Sequence, residues 1–159
     1  MRLGFIGTGK IASSVIIGIC ASKISFQKIL ISSRNRNIAQ KLKKRFRKVK
    51  ISKTNQEIVD KCNWVFLSVT PKVGKKILPK LNFRSNQKII SFISTINLTQ
   101  LKKTLGKKVK IIRAIPLPPI SLKKGPVPIC PPDKQVKNFF DKIGTTIEIK
   151  SEKLSNRFH

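Results

Sequence analysis

The first twelve residues constrain this chain more than any other stretch. Leu3, Phe5 and Ile6 form a short apolar run beginning almost at the first residue, and it leads into Gly7-Thr8-Gly9. An apolar pattern at helical spacing follows directly: Ile11, Ala12, Val15, Ile16 and Ile19. A buried strand, a glycine turn and a helix in that order are what a dinucleotide pyrophosphate requires. Gly7 permits the tight turn, Gly9 lets backbone come close to phosphate, and Ala12 holds the third small position, where helix and strand pack together. The helix start then offers unpaired N–H groups and a partial positive charge, worth about 0.3–1 kcal/mol to an anion near the surface. A bare glycine turn is a weak signal, since such turns also join strands to helices without any ligand. Its place at the very front of an α/β pattern is what favours nucleotide binding.

The pattern continues down the chain. Ile29-Leu30-Ile31 is a second apolar strand, ending in Ser32-Ser33-Arg34-Asn35, and a basic helix follows with Ile38, Ala39, Leu42 and Phe46 on its apolar face. Val49 and Ile51 make a third strand. Thr54-Asn55-Gln56-Glu57 is a capping-box signature opening a brief helix through Val59. Trp64 to Val69 is the strongest strand, and its near-continuous apolar run fits burial on both faces of a parallel sheet. Thr70-Pro71 ends it before a helix marked by Val73, Ile77 and Leu81. Ile89 to Phe92 is a strand, Leu98 to Leu105 a helix stopped by Gly106, and Val109 to Ile112 another strand. Pro116, Pro118 and Pro119 interrupt the pattern, which resumes at Val127 to Cys130. A helix from Asp133 to Ile143, closed by Gly144, and a strand from Thr146 to Ile149 complete it. This alternation predicts one α/β domain over residues 1–150, a doubly wound, mostly parallel sheet of the Rossmann type with helices on both faces. Residues 151–159 are polar and begin no further element.

Composition narrows the partners less than its extremity suggests. Against 35 lysines and arginines stand 6 acidic residues, a net charge of +29. Such a field favours anionic partners in general without choosing among them. The lysines occur along the whole chain, in pairs such as Lys43-Lys44, Lys75-Lys76 and Lys102-Lys103, which describes a solvated surface better than a binding stripe. Nucleic acid is disfavoured as a partner, because aromatics are few, the phenylalanines mostly sit in apolar runs and no recognition motif is present. Cys20, Cys62 and Cys130 are odd in number and far apart, which argues against a disulfide framework or a zinc site and for a reducing compartment. The apolar segment from Ile11 to Ala21 lies behind an interrupting glycine turn, and no run is long enough to span a bilayer. A soluble cytoplasmic protein with no metal site is expected.

The end of the second strand selects the nucleotide. An acidic residue there binds the adenosine ribose hydroxyl in NAD-dependent folds of this type. Here the first acidic residue of the chain is Glu57. The strand ends instead in Ser33-Arg34-Asn35-Arg36, a hydroxyl and two guanidinium groups that suit a 2′-phosphate. NADP(H) is the expected cofactor.

Taken together, these segments resemble the pyrroline-5-carboxylate reductase family. The resemblance is carried by Gly4 to Ala12, by Val65-Phe66-Leu67-Ser68-Val69-Thr70-Pro71-Lys72, by Ile89 to Ser94, and by Arg113-Ala114-Ile115-Pro116-Leu117-Pro118-Pro119 with Gly125 downstream. It implies cofactor contacts from Ile6, Gly7, Thr8, Gly9, Lys10 and Ile11, and from Ser33, Arg34 and Asn55. It also implies contacts around the nicotinamide from Ser68, Val69, Thr70 and Pro71 and from Phe92, Ile93 and Ser94. The sequence departs from the family at Leu117, where members carry asparagine, and at Thr95, where they carry glycine. Members also continue into a helical domain that forms the dimer. Ser151-Glu152-Lys153-Leu154 resembles the entry to that domain, and the chain stops at His159. A cofactor domain without its helical partner is therefore expected, with a separate helical domain or a homodimer partner completing the substrate pocket.

The residue inventory limits the chemistry. His159 is the only histidine, tyrosine is absent, and no carboxylate pair is evident. No catalytic side chain is assigned. Hydride transfer to a cyclic imine needs little acid–base help, because a protonated imine is already electrophilic and alignment with the nicotinamide supplies most of the catalysis. An NADPH-dependent imine reductase is the leading expectation, and an NADP-binding module without turnover is the alternative.

Overall fold

The computed structural model describes residues 1–152; the expectations attached to Lys153-Leu154 and to His159 lie outside the described residues. Within them the chain runs β1 (Arg2–Ile6), α1 (Lys10–Cys20), β2 (Lys28–Ile31), α2 (Arg36–Arg45), β3 (Val49–Ile51), α3 (Asn55–Lys61), β4 (Trp64–Leu67), α4 (Pro71–Ile77), β5 (Lys88–Ser91), α5 (Leu98–Leu105), β6 (Lys110–Ala114), β7 (Pro126–Cys130), α6 (Lys134–Asp141) and β8 (Thr145–Glu148). Eight strands form one sheet in the order β3-β2-β1-β4-β5-β6-β7-β8. The pairings are parallel except that between β6 and β7, where Arg113 lies opposite Cys130 and Ala114 opposite Ile129. The reversal has a physical cause. Residues 115–125 are proline-rich and carry only a 3-10 turn, Pro118–Leu122, too little chain for the helical crossover a parallel neighbour needs.

Strand alternation divides the core into two layers. Phe5, Ile29, Ile31, Phe66, Ile90 and Ile112 face α1, α2 and α6. Ile6, Leu30, Val65, Leu67, Ile89 and Ile111 face α3, α4 and α5. Both layers are sealed from water, each large side chain contributing about 1.5–3 kcal/mol. Helices on both faces of a mostly parallel sheet are thus what the apolar runs predicted, for the reason given by the runs themselves.

Three local differences follow from tertiary contacts. The strand expected over Trp64 to Val69 ends at Leu67, because the Thr70 side chain accepts from the Val73 amide (3.3 Å) and starts α4 with Pro71 in its first turn. The capping box at α3 is half formed. Thr54 Oγ1 accepts from the Glu57 amide (3.1 Å), while the Glu57 carboxylate accepts from the Lys53 amide (3.2 Å) rather than from Thr54. The proline segment that breaks the pattern is itself ordered. Its Ile120 is buried on α1 at Gly18, where a Cβ would collide with the Ile120 carbonyl.

Candidate functional site: the cleft at the carboxyl edge of the sheet

From β1 the chain passes outward to β2 and β3, and from β4 it passes the other way to β5 and β6. The carboxyl ends of β1 and β4, paired side by side, therefore border the crevice where an open α/β sheet binds its ligand. The glycine turn closes one side of it. Gly7 has φ +100°, and a Cβ there would strike the Ser68 carbonyl at the end of β4. Its amide donates to Ser32 Oγ (2.9 Å), so the end of β2 holds the turn in place. Gly9 differs. Its backbone is extended (φ −75°, ψ −169°), and a Cβ would meet no atom within 4 Å. Nothing in the protein requires glycine there; the open space is on the ligand side.

Three adjoining clefts open along this edge. One of about 490 Å³ is bordered by Gly7, Thr8 and Gly9, by Arg34 to Asn37, and by Ser68, Val69, Thr70 and Val73. A second of about 360 Å³ shares Gly9 and Ser68 to Thr70 and adds Lys10, Ile11, Pro71, Phe92, Ser94, Ile115 and Pro116. A third of about 190 Å³ joins Ser32, Ser33 and Arg34 to Ser52, Lys53, Thr54 and Asn55. Gly9 connects the first two and Arg34 connects the first with the third, so one extended molecule can run through all three. Among the described residues no carboxylate lines any of them.

Helix caps test whether this groove suits a phosphorylated dinucleotide. Thr54, Thr70, Asn97 and Asp133 each cap their helix by accepting a backbone N–H. At α1 and α2 no side chain does so, and neither first turn carries an acidic residue. Those two helices start at Gly9 and Asn35, on the rim of the largest cleft. Their free amide donors and partial positive charge are what a pyrophosphate and a second phosphate would satisfy. Thr8 Oγ1, buried beside the same cleft, has no hydrogen-bond partner among the described residues. The residues fit the group.

Most residues expected at the site line these clefts: Gly7, Thr8, Gly9, Lys10 and Ile11, Ser33, Arg34 and Asn55, Ser68 to Pro71, Phe92 and Ser94. Ile6 and Ile93 sit a layer below, with side chains buried in the core. The sequence reasoning passed over Ser32, Lys53, Asn37, Val73 and Ile115. Ser32 carried no signal beyond its place at the end of the second strand; only the structure shows that it is buried while Ser33 is exposed. The departures from the resembled family also have structural expression. Thr95 adopts φ 68°, the left-handed region that favours glycine, and Leu117 is 43% exposed beside Pro116. Glu152, within the polar tail, packs back on the domain. Glu152 accepts from the Leu98 amide at the start of α5 and pairs with the buried Arg113 (3.4 Å).

The remaining reactive groups are quiet. Burial pushes the Cys62 thiol up to about 12 and the Cys20 thiol up to about 11, and burial also raises Cys130. None of them lines the groove. Among the described residues no three His, Cys, Asp or Glu side chains converge on a metal position, and no helix is long and apolar enough to cross a membrane.

Fold and groove together define an α/β nucleotide-binding domain of the oxidoreductase kind. Residues 2–97 match the family model described as NADP oxidoreductase, coenzyme F420-dependent, and the chain belongs to that family. It is similar to the pyrroline-5-carboxylate reductases. The enzyme named pyrroline-5-carboxylate reductase 3 from Danio rerio is 29% identical over 128 residues, which cover 79% of this chain and 44% of that protein. The crystal structure of 1-pyrroline-5-carboxylate reductase from Streptococcus pyogenes superposes with a TM-score of 0.80 at 26% identity, covering 96% of this chain and 59% of that one. In fold the chain is also like the Plasmodium falciparum pyrroline carboxylate reductase, determined with NADP bound (TM-score 0.83, 21% identity, 97% and 59% covered). The chain spans about half the length of the curated relatives it matches, in their N-terminal part.

Proposed function

We propose that this domain binds NADPH and presents its nicotinamide to a cyclic imine of the 1-pyrroline-5-carboxylate type, as the cofactor half of an imine reductase. The observation that carries this reading is the pair of uncapped helix starts on one carboxylate-free groove, with open space at Gly9. When bound, NADPH would supply the hydride from nicotinamide C4 to the C=N carbon. The amides at the start of α1 would hold the pyrophosphate. Arg34, with Ser33, Asn55 and Lys53 around the same small cleft, would hold the 2′-phosphate. Phe92, Ser94, Ile115 and Pro116 would wall the nicotinamide end and keep water from it. The family description also names coenzyme F420. The hydroxyl and guanidinium groups after β2, suited to a 2′-phosphate, support the nicotinamide cofactor instead.

Among the described residues the groove presents Ser68, Thr70, Ser94 and Lys10 but no histidine, tyrosine or carboxylate. An iminium arrives already protonated and leaves as an amine, so such a groove needs only to orient the reactants. The remaining wall of the substrate pocket is assigned to a helical segment equivalent to the rest of the relatives' length, in a second chain or domain. A cytoplasmic location accords with three free cysteines and a nicotinamide cofactor.

Titration of the chain with NADPH and NADH, followed by nicotinamide fluorescence, tests the cofactor assignment. Saturable NADPH binding at least tenfold tighter than NADH is expected, and no saturable signal with either would overturn it. NADPH oxidation with 1-pyrroline-5-carboxylate, with and without a co-expressed helical domain from a relative, tests the reaction. Binding without turnover in both arms would favour the alternative, an NADP-binding module.

A further inference from the structure

One buried guanidinium ties together both walls of the nicotinamide-side cleft. Arg113 stands in β6 with a side chain only 2% exposed, two residues before Ile115 and three before Pro116, which form one wall. Its Nη2 donates to the Ile93 carbonyl (3.5 Å), and the next residue, Ser94, belongs to the opposite wall with Phe92. The charge is matched by Glu152, whose Oε1 lies 3.4 Å from Arg113 Nη1 and also accepts from the Leu98 amide. Leu98 opens α5, so Glu152 holds the loop 92–97 from its far end while Arg113 holds it from beneath. That loop contains Thr95 at φ 68°. A β-branched residue stays in that region only where the surroundings over-determine it, and this clamp is such a surrounding.

We propose that Glu152 is a positioning residue for the nicotinamide half of the groove: the carboxylate at the exit of the domain sets, through Arg113 and the start of α5, the width of the cleft between Ser94 and Pro116. The inference rests on the cofactor reading above. Its two contacts, with Arg113 and with the Leu98 amide, tie β6 to the loop before α5.

The full chain is compared with E152A and E152Q by titration with NADPH and with adenosine 2′,5′-bisphosphate, which occupies only the adenosine end. E152A is expected to weaken NADPH roughly tenfold, while adenosine 2′,5′-bisphosphate changes by less than about twofold. E152Q retains an oxygen acceptor for the Leu98 amide and falls between wild type and E152A. Amide hydrogen exchange is expected to quicken over residues 92–98 and not around the glycine turn. Unchanged NADPH binding in E152A overturns the proposal. So does a parallel loss of both ligands with a lowered melting temperature, which marks a general structural role. A wild-type chain that binds neither ligand overturns the cofactor reading itself, and this inference with it.

Discussion

Gly7 and Gly9 are two positions apart and are glycine for different reasons. At Gly7 the fold demands it, through φ +100° and the Ser68 carbonyl where a Cβ would go. At Gly9 the fold is indifferent. Gly7→Ala is therefore expected to destabilise the chain by at least about 3 kcal/mol, a strained backbone and a steric clash acting together. Gly9→Val is expected to cost at most about 1 kcal/mol of stability while reducing NADPH affinity more than tenfold. Urea unfolding and NADPH titration of the two variants separate the roles, and equal stability losses would contradict the distinction. Thr95 presents the reverse case, a branched residue where the backbone favours glycine. Relief of about 1–3 kcal/mol of strain exceeds the roughly 0.5–1 kcal/mol entropic cost of glycine. Thr95→Gly should thus raise stability by about 1 kcal/mol in the same unfolding measurement.

Among the elements, α6 depends most on one side chain. Asp133 caps it by accepting from the Val136 amide (3.0 Å) and also receives the Lys88 ammonium from the start of β5, both pair members being about nine-tenths buried. Burial pushes the Asp133 carboxyl up, but the Val136 amide and Lys88 outweigh it and hold the group below its ordinary value. A carboxyl depressed in the folded state stabilises above its unfolded pKa, near 4, and loses that contribution as pH falls through the folded value. Asp133→Ala leaves the buried Lys88 ammonium without its carboxylate, though Gln135 Oε1 still accepts from it, and is expected to cost about 3–5 kcal/mol at pH 7. Asp133→Asn keeps a cap acceptor and should cost less. Unfolding of wild type and Asp133→Asn, followed from pH 7 downward, should show their difference shrinking once pH falls below the unfolded value near 4, where the unfolded chain takes up its proton before the folded one. Element boundaries were legible where both signals were local, as in α5, which runs over Leu98–Leu105 and stops at Gly106 as its sequence predicts. They were not legible at Val69, which packs against the core and borders the cleft after β4 has ended rather than continuing the strand. Hydrophobicity alone does not separate those two uses.

Across the whole molecule, four of the six carboxylates are tied in ion pairs: Glu57, Asp133, Asp141 and Glu152. With +29 of net charge and, among the described residues, no carboxylate along the groove, an anionic ligand meets an attractive field. That general attraction does not distinguish one dinucleotide from another; under the proposed function that task falls to Arg34, shared by two of the clefts. Arg34→Ala is expected to weaken NADPH by roughly ten- to a hundredfold, the worth of a charge-assisted hydrogen-bond pair, and to leave NADH within about twofold. Repeating both titrations at low and high salt should show a steeper decline for wild-type NADPH binding than for the variant. Equal losses for NADPH and NADH would assign Arg34 to the general field.

By itself the sequence determined the alternation of strands and helices, the two-sided burial of the sheet and the glycine turn at its front. Each of these depends on residues within a turn or two of one another. It also brought most of the groove into view, because in this fold the ends of successive strands necessarily share one edge. Only the tertiary structure decided that β7 runs antiparallel, that Ile120 packs on Gly18, and that Glu152 reaches Arg113. Those contacts join residues from 15 to 102 positions apart in the chain. Their cause is the space left between packed elements, which no local pattern of residue types encodes.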